Sequence, residues 1–445
     1  MRVPASCIAV TVFGVACLGS SPALAAAFEL REFSANAMGT AYAGAAAGSE
    51  DASFLFFNPA SVGDVKDFDT SIGLSGLLLD SDGTFHGNTS FGTPTGGSTS
   101  PSGFIGDALL PALAARYRLT NDIALGITFS TPFGESTHYP DGWTGRYYAQ
   151  TTDLATYNLT PVISYNVWPS VTLAAGLQIQ YARSYLTQAI DFGSIGAAFG
   201  IPGSVPGASD GQAVLHGHGW GAGFVLGALW HATPALSFGL SYRSQIPQGL
   251  RGEEAFYYDQ AGIAQTINSI TGAFANSVGK ADVPTPATLT AGARWQIDNR
   301  WTLLGGFEYT NWSTFHHLLI ESFNPANPPD LTLTNWKNTW FGSLGVEYRL
   351  DNQWVLRVGT GYDMAAVPPD TLSPRIPDAS RYWLSGGVGY QWNNNIGIDF
   401  AISHLFAPHS DIALSALAPG NTFRGYLNGV SNVGATLISA QVVIR

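Results

Sequence analysis

The stretch Leu344–Leu356, LGVEYRLDNQWVL, decides the architecture of this chain. Leu344, Val346, Tyr348 and Leu350 alternate with Gly345, Glu347 and Arg349, the period of two that sorts side chains onto opposite faces of a β-strand. Asp351–Asn352–Gln353 then interrupts with turn-forming side chains, and Trp354 starts the next strand. A strand that is apolar on one face and bears charges on the other needs an apolar surround on one side only.

Five further stretches have the same form. They are RLTNDIAL from Arg118, NVWPSVTL from Asn166, WHATPALSF from Trp230, QIDNRWTL from Gln296 and QWNNNIGI from Gln391. Trp168, Trp301, Trp354 and Trp392 stand beside turns, where membrane barrels place an aromatic girdle. Long polar or Gly/Ser/Thr-rich segments separate these hairpins, near 80–108, 134–155, 187–215, 250–285, 313–337, 363–380 and 406–432. Six short turns and seven long loops predict fourteen strands with both termini on the short-turn side, the asymmetry of an outer-membrane barrel.

Composition points the same way. Charged residues make up 11% of the 445 and aromatic residues 12%, against roughly a quarter charged in soluble domains. Beyond the N-terminus no apolar run approaches the roughly 18 residues of a spanning helix. A single Arg2, the apolar stretch Val3–Leu18 and the small-residue site Ala23-Leu24-Ala25 form a secretory signal. The expected mature chain starts at Ala26 in a Gram-negative outer membrane. Cys7 and Cys17 fall in the removed part, so no disulfide framework is expected. The formal charge of −12 disfavours nucleic acid as a partner.

Charges on a lipid-facing wall cost about 2–4 kcal/mol at the midplane. Arg116, Arg243, Arg294, Glu308, Glu347, Arg349, Arg357 and Asp399 are therefore expected inside, either as a lattice bracing a plugged barrel or as the lining of a pore. Alternation begins only near Asp69. The preceding 26–68, rich in small and apolar residues, is expected to fold into the lumen as a hatch, with 69–445 as the barrel. Phe56-Phe57-Asn58-Pro59-Ala60 would turn the chain there, since proline removes a donor and pushes Asn58 towards extended backbone.

Several of these segments resemble known sequences. AAFELREFSANAMGTAYAG from Ala26, FFNPASV from Phe56, GWTGRYYA from Gly142, FEYTNWSTF from Phe307 and IPDASRYWLSGGVGYQW from Ile376 resemble the FadL-like outer-membrane transporters of long-chain fatty acids and other hydrophobic compounds. The likeness covers nearly the whole mature chain. It implies an all-β, fourteen-stranded barrel, a hatch and a third strand kinked inward to open a side hole towards the bilayer. Pro132, Phe133 and Gly134 in DIALGITFSTPFGEST are the matching kink, and Asn58 is implied to tie the hatch to that strand. It also implies an outer capture groove, here Ile195, Phe199 and Ile201 with Ile263, Ile267, Ile270 and Phe274. Arg183 and Lys337 lie near positions where the family keeps cations for a carboxylate.

The implied activity is passive uptake of fatty acids, with neutral or aromatic hydrocarbons as the alternative cargo. Implied partners are the cargo, outer-membrane lipids including lipopolysaccharide, and the barrel-assembly machinery, for a monomer. A general porin and a surface lipase are weaker readings. HGHGW, with His216 and His218, lacks a third metal ligand. GVGYQW lacks the strand-turn-helix setting of a phosphate loop, and no nucleophile signature or cofactor motif is present. One departure stands out: the chain ends ISAQVVIR, with Arg445 where such barrels usually end in an aromatic residue.

Overall fold

The computed structural model describes residues 27–445, and the expected signal peptide lies outside them. Fourteen antiparallel strands follow one another around a closed wall. In chain order they are Phe68–Asn88, Ala108–Arg118, Ile123–Ser130 continued by Gly134–His138, Thr151–Trp168, Val171–Asp191 and Asp210–Thr233. Leu236–Arg243 with Gly249–Tyr257, Ser277–Asp282 with Thr288–Gln296, Trp301–Thr310 with His317–Ser322, and Asp330–Leu333 with Thr339–Arg349 are the seventh to tenth. Trp354–Asp363, Arg381–Gln391, Ile396–Phe406 with Ser410–Leu414, and Tyr426–Ile444 complete the wall. The first strand pairs with the last from Thr70↔Ile444 to Asn88↔Tyr426, so the sheet has no free edge. In hydrocarbon this closure is what satisfies every ladder group.

The alternation predicted from sequence sorts the wall. In the thirteenth strand Ile398, Phe400 and Ile402 are exposed, while Asp399, Ala401 and Ser403 face inward and are buried. Trp168, Trp301, Trp354 and Trp392 are all exposed on the wall. The inward charges form a lattice. Arg294 meets Glu347 at 2.7 Å, Arg357 bridges Glu347 at 3.2 Å and Asp399 at 2.7 Å, and Arg116 holds Asp69 at 2.7 Å. Arg349 lines the same lumen chamber as Glu347 and Arg357 but lies exposed at its short-turn mouth. It is the last strand residue before Asp351, where the lumen opens to water.

Residues 27–67 fill the lumen with one short helix, Ala35–Met38, and three 3₁₀ turns. Most of them are buried. Inward-facing glycines allow the close approach: a Cβ on Gly359 would sit 2.1 Å from the Thr40 backbone, and one on Gly239 1.8 Å from the Ala46 carbonyl. Arg31 crosses the lumen to Glu308 at 2.7 Å and Asp363 at 3.1 Å.

Asn58 opens the 3₁₀ turn Pro59–Asp64, its Oδ1 accepting from the Ala60 N–H at 2.9 Å. Its Nδ2 donates to the Ala46 carbonyl at 2.7 Å and to the Ala228 carbonyl at 3.0 Å. The hatch is thus tied to the sixth strand at Asn58, not to the kinked third strand as the family resemblance implied. The third strand is instead held by the N-terminal end of the hatch, described below.

Asn58→Ala leaves the buried Ala46 carbonyl and Ala60 amide without their partner, at about 1–3 kcal/mol for each group orphaned, and removes the bond to the half-buried Ala228 carbonyl of the sixth strand. Amide hydrogen exchange across 45–65 is expected to rise at least tenfold while barrel strands stay protected. Unchanged protection there would show that Asn58 does not anchor the hatch.

Candidate functional site

Pro132 has no amide to give, and the third strand stops pairing at Ser130 and resumes at Gly134. Below the break it pairs with the second strand from Leu113↔Phe129 to Arg118↔Ala124. Above it a single bridge, Ile105↔Thr137, rejoins the two sides. Between these, Ala108–Ala112 pair only with the first strand, where Pro111 lies opposite Leu74. A window therefore opens through the wall at the height of its exposed apolar band. Ala108, Leu109, Leu110 and Pro111 line one lip, and Thr131, Gly134 and Glu135 the other. The space behind it is about 380 Å³.

The hatch supplies what the broken strand lacks. The Leu30 N–H donates to the Pro132 carbonyl at 2.9 Å, and the Gly134 N–H donates to the Phe28 carbonyl at 2.9 Å. Phe133, turned inward, is held by Thr156, whose backbone N–H donates to the Phe133 carbonyl at 3.0 Å. Its ring meets Phe28 at 5.8 Å and Trp312 at 6.1 Å. Phe28 also contacts Trp312 at 5.0 Å and Trp336 at 5.5 Å, closing an aromatic septum across the lumen. The ninth and tenth strands break at 311–316 and 334–338 to bring Trp312, Phe315 and Trp336 inward.

Above the septum lies an apolar cavity of about 100 Å³, lined by Leu154, Leu186, Leu215, Leu250, Phe315 and Ile320. Phe28 and Leu154 line both this cavity and the window space, so they form the partition between them. At the cavity's edge the Arg375 guanidinium donates to the Thr151 carbonyl at 3.0 Å, Thr152 Oγ1 at 3.1 Å, the Thr187 carbonyl at 3.1 Å and Gln188 Oε1 at 2.9 Å. No carboxylate lies within ion-pair distance of it among the described residues. Burial pushes Arg375 down to about 10, which leaves it charged at neutral pH. Below the hatch, by contrast, the lumen is polar, lined by Glu50, Arg294, Glu347, Arg357 and Asp399.

The residues expected from sequence are partly brought together. Phe56, Pro59, Ala60, Pro132 and Phe133 are buried at the hatch and kink, with Phe57 and Gly134 half-buried. In the outer loops, helices Phe192–Ala198 and Ile263–Thr271 bury Ile195, Ile263, Ile267 and Phe274 against one another, with Ile201 at the margin. Phe199 and Ile270 stay exposed, at 69% and 73%. Arg183 and Lys337 do not enter the lumen. Arg183 belongs to the outward set of its strand and lies over the Tyr157 ring at 5.8 Å, and Lys337 is exposed. Sequence reasoning missed Arg375, whose signal was a cation fixed between Pro374 and Pro377 in a loop with few charges. It also missed Phe28, the septum's central ring.

One titration bears on the partition. Glu29, Glu308 and Asp363 all crowd Arg31, with Glu29 at 3.3 Å. Burial, opposed by Arg31 and reinforced by Glu308 and Asp363, pushes Glu29 up to about 8. A carboxyl whose folded value is raised favours the folded state at low pH and loses that contribution as pH rises from the ordinary value near 4.3 to about 8. The Leu30 and Gly134 amides, corrected for intrinsic rates, are expected to exchange faster at pH 9 than at pH 6. Glu29→Gln should abolish that difference, and its persistence would assign the effect to another group.

With this geometry in view, comparison with known proteins is informative. Residues 16–445 match a family model described as outer membrane protein transport protein (OMPP1/FadL/TodX). A long-chain fatty acid transport protein of Escherichia coli O6:H1 is 28% identical over 406 residues, covering 87% of this chain and 88% of that one. Outer membrane protein P1 of Haemophilus influenzae is 26% identical over 417 residues, covering 87% of each. A Pseudomonas aeruginosa FadL homologue superposes with a TM-score of 0.84 at 24% identity, covering 94% of this chain and 99% of that one. The Ralstonia pickettii toluene transporter TbuX gives 0.65 at 19% identity, covering 94% and 99%. The chain belongs to the outer-membrane transport protein family OMPP1/FadL/TodX.

Proposed function

We propose that the protein takes up hydrophobic molecules, long-chain fatty acids foremost, passively across the outer membrane. It works as a monomer among outer-membrane lipids, lipopolysaccharide included, after insertion by the barrel-assembly machinery. The observation that carries this reading is the order of compartments: an apolar cavity, an aromatic partition, and a window in the wall. The 28% identical relative bears the name long-chain fatty acid transport protein, which gives the cargo class.

Cargo lands on the exposed apolar residues of the outer loops, Phe199 and Ile270 among them, and descends into the cavity. Arg375 receives the carboxylate, a role Arg183 and Lys337 are placed too far outward to play. Displacement of Phe28 joins the cavity to the window, and the chain leaves sideways between the second and third strands. The charged floor below the hatch disfavours straight descent, because an alkyl chain gains nothing by entering a polar chamber. No ATP is available there, so the gradient and downstream consumption drive flux.

Labelled oleate uptake is expected to fall at least tenfold in a strain lacking the protein, and to return on complementation. Ala108→Trp, which fills one lip of the window, should suppress uptake while leaving oleate binding intact. Uptake at the wild-type rate would refute the sideways route.

Arg375→Gln removes a charge-assisted partner worth about 1.5–3 kcal/mol. It is expected to weaken binding of oleate by tenfold or more and to leave oleyl alcohol unchanged. Equal loss for both would mean that Arg375 supports the loop and not the carboxylate. Wild-type protein that binds toluene but not oleate would favour the cargo named for TbuX.

A further inference from the structure

The outward face of the fifth to eighth strands carries a stripe of cations that transport does not use. Register pairs Arg183 with His218, His218 with Arg251, and Arg251 with Lys280. All four side chains are exposed. Neighbouring strands lie about 4.8 Å apart, so the stripe runs roughly 14 Å around the wall. It stands out in a chain with only 19 lysines and arginines and a formal charge of −12.

Its height is fixed by its neighbours. One step below Arg183 on the same face lies Tyr181, whose ring meets Trp220 at 5.1 Å. Below those come Ile179, Leu177, Phe224 and Leu226, all exposed. The order from midplane outward is thus apolar, aromatic, cationic, which places the stripe where lipid head groups begin.

Arg183 makes no hydrogen bond to any described side chain and lies over the face of Tyr157. Arg251 likewise has no acidic partner within ion-pair distance among the described residues. Of the nearby acids, Asp282 is exposed one step below Lys280 and bounds the stripe at its far end, and two others are engaged. Asp153 receives Ser136 at 2.7 Å and His138 at 3.4 Å, and Glu321 holds Lys280 at 2.8 Å from the far end of the stripe. Glu253 is exposed two residues above Arg251 and limits the stripe on that side.

We propose that this stripe binds a phosphorylated glycolipid of the outer leaflet. Its acyl chains lie along Leu177, Ile179, Phe224 and Leu226, and its phosphates meet Arg183 and Arg251, with Lys280 and His218 completing the site. An amphiphile with an anionic head is the occupant because the site is apolar below and cationic above. Two guanidiniums match phosphate oxygens in a way that a point charge does not. Arg251 and Lys280 also border the cavity, and Arg183 and His218 a recess that reaches Glu135 at the window, so oleate uptake by the variant tested below separates the two readings: a lipid-binding loss with uptake unchanged belongs to this site alone.

Native mass spectrometry of the delipidated barrel in detergent with bisphosphorylated lipid A tests this. Wild type should retain the lipid, and the double variant Arg183→Gln/Arg251→Gln should retain it roughly tenfold less, as expected when charge-assisted bonds to phosphate are lost. Heat-modifiable gel mobility shows that each variant is a folded barrel. Arg300→Gln, at the opposite rim, should bind as wild type does. Dephosphorylated lipid A with the same acyl chains should bind wild type as weakly as the double variant binds the bisphosphorylated form. Equal retention by wild type and double variant, or equal binding of the dephosphorylated lipid, would overturn the proposal.

Discussion

The structure depends on one constraint: inside a bilayer, a backbone amide or carbonyl without a partner is too costly to leave exposed. Closure of the first strand onto the last meets it for the wall as a whole. A window between the second and third strands would break it locally. The hatch prevents that, since Phe28 and Leu30 exchange hydrogen bonds with Gly134 and Pro132 on either side of the kink. The segment that blocks the lumen is therefore the one that makes a hole in the wall affordable. Pro132 reduces the demand further, because it brings no amide to the break.

A second constraint follows from filling a barrel with protein. The lumen holds buried arginines and carboxylates whose desolvation must be offset by close pairing. Arg31, Arg116, Arg294 and Arg357 each meet at least one carboxylate. Several of these pairs join the hatch to the wall or one strand to another across the lumen. Removing one partner would strand the other in a dry interior, so the lattice fixes the hatch in a single position. Arg243 and Arg375 are the exceptions: Arg243 is held by Gln178 and the Phe56 carbonyl, and Arg375 by carbonyls, a hydroxyl and an amide oxygen, neither by an acid.

Much of this could be read from the chain. A period of two, six turn clusters and seven long loops are local signals, and they place the strands and both termini. Even the outward direction of Arg183 follows from alternation with Leu177, Ile179 and Tyr181; the family resemblance had pointed it towards a carboxylate instead. The breaks at 244–248 and 283–287 carry the hints Pro247, Pro284 and Pro286. What local pattern does not encode is which distant segments meet. Nothing near Asn58 names the Ala228 carbonyl, and nothing near Phe28 names Trp312 or Trp336. Arg375 was hidden for the same reason, because the depth of a loop residue is set by how the loop folds and not by its spacing.

These contacts also limit how the partition can move. Arg31 is clamped by Glu308 and Asp363, and Asn58 holds the hatch to the sixth strand, so the body of the hatch resists displacement. Upstream of Arg31 the ties are two backbone hydrogen bonds, the contacts of Glu29 with Arg31 and Thr310, and the aromatic contacts of Phe28. Withdrawing that ring exposes apolar surface, at roughly 25 cal/mol per Å². An alkyl chain entering from the cavity covers the same surface, so exchange of ring for cargo leaves the buried area little changed. Passive flux requires such near-balance: a partition too firmly held would trap the cargo above it, and one too loose would leave the kinked strand's amides without partners. Residues 27–30 are thus the only part of the described hatch that is both close enough to the window to open it and weakly enough tied to move.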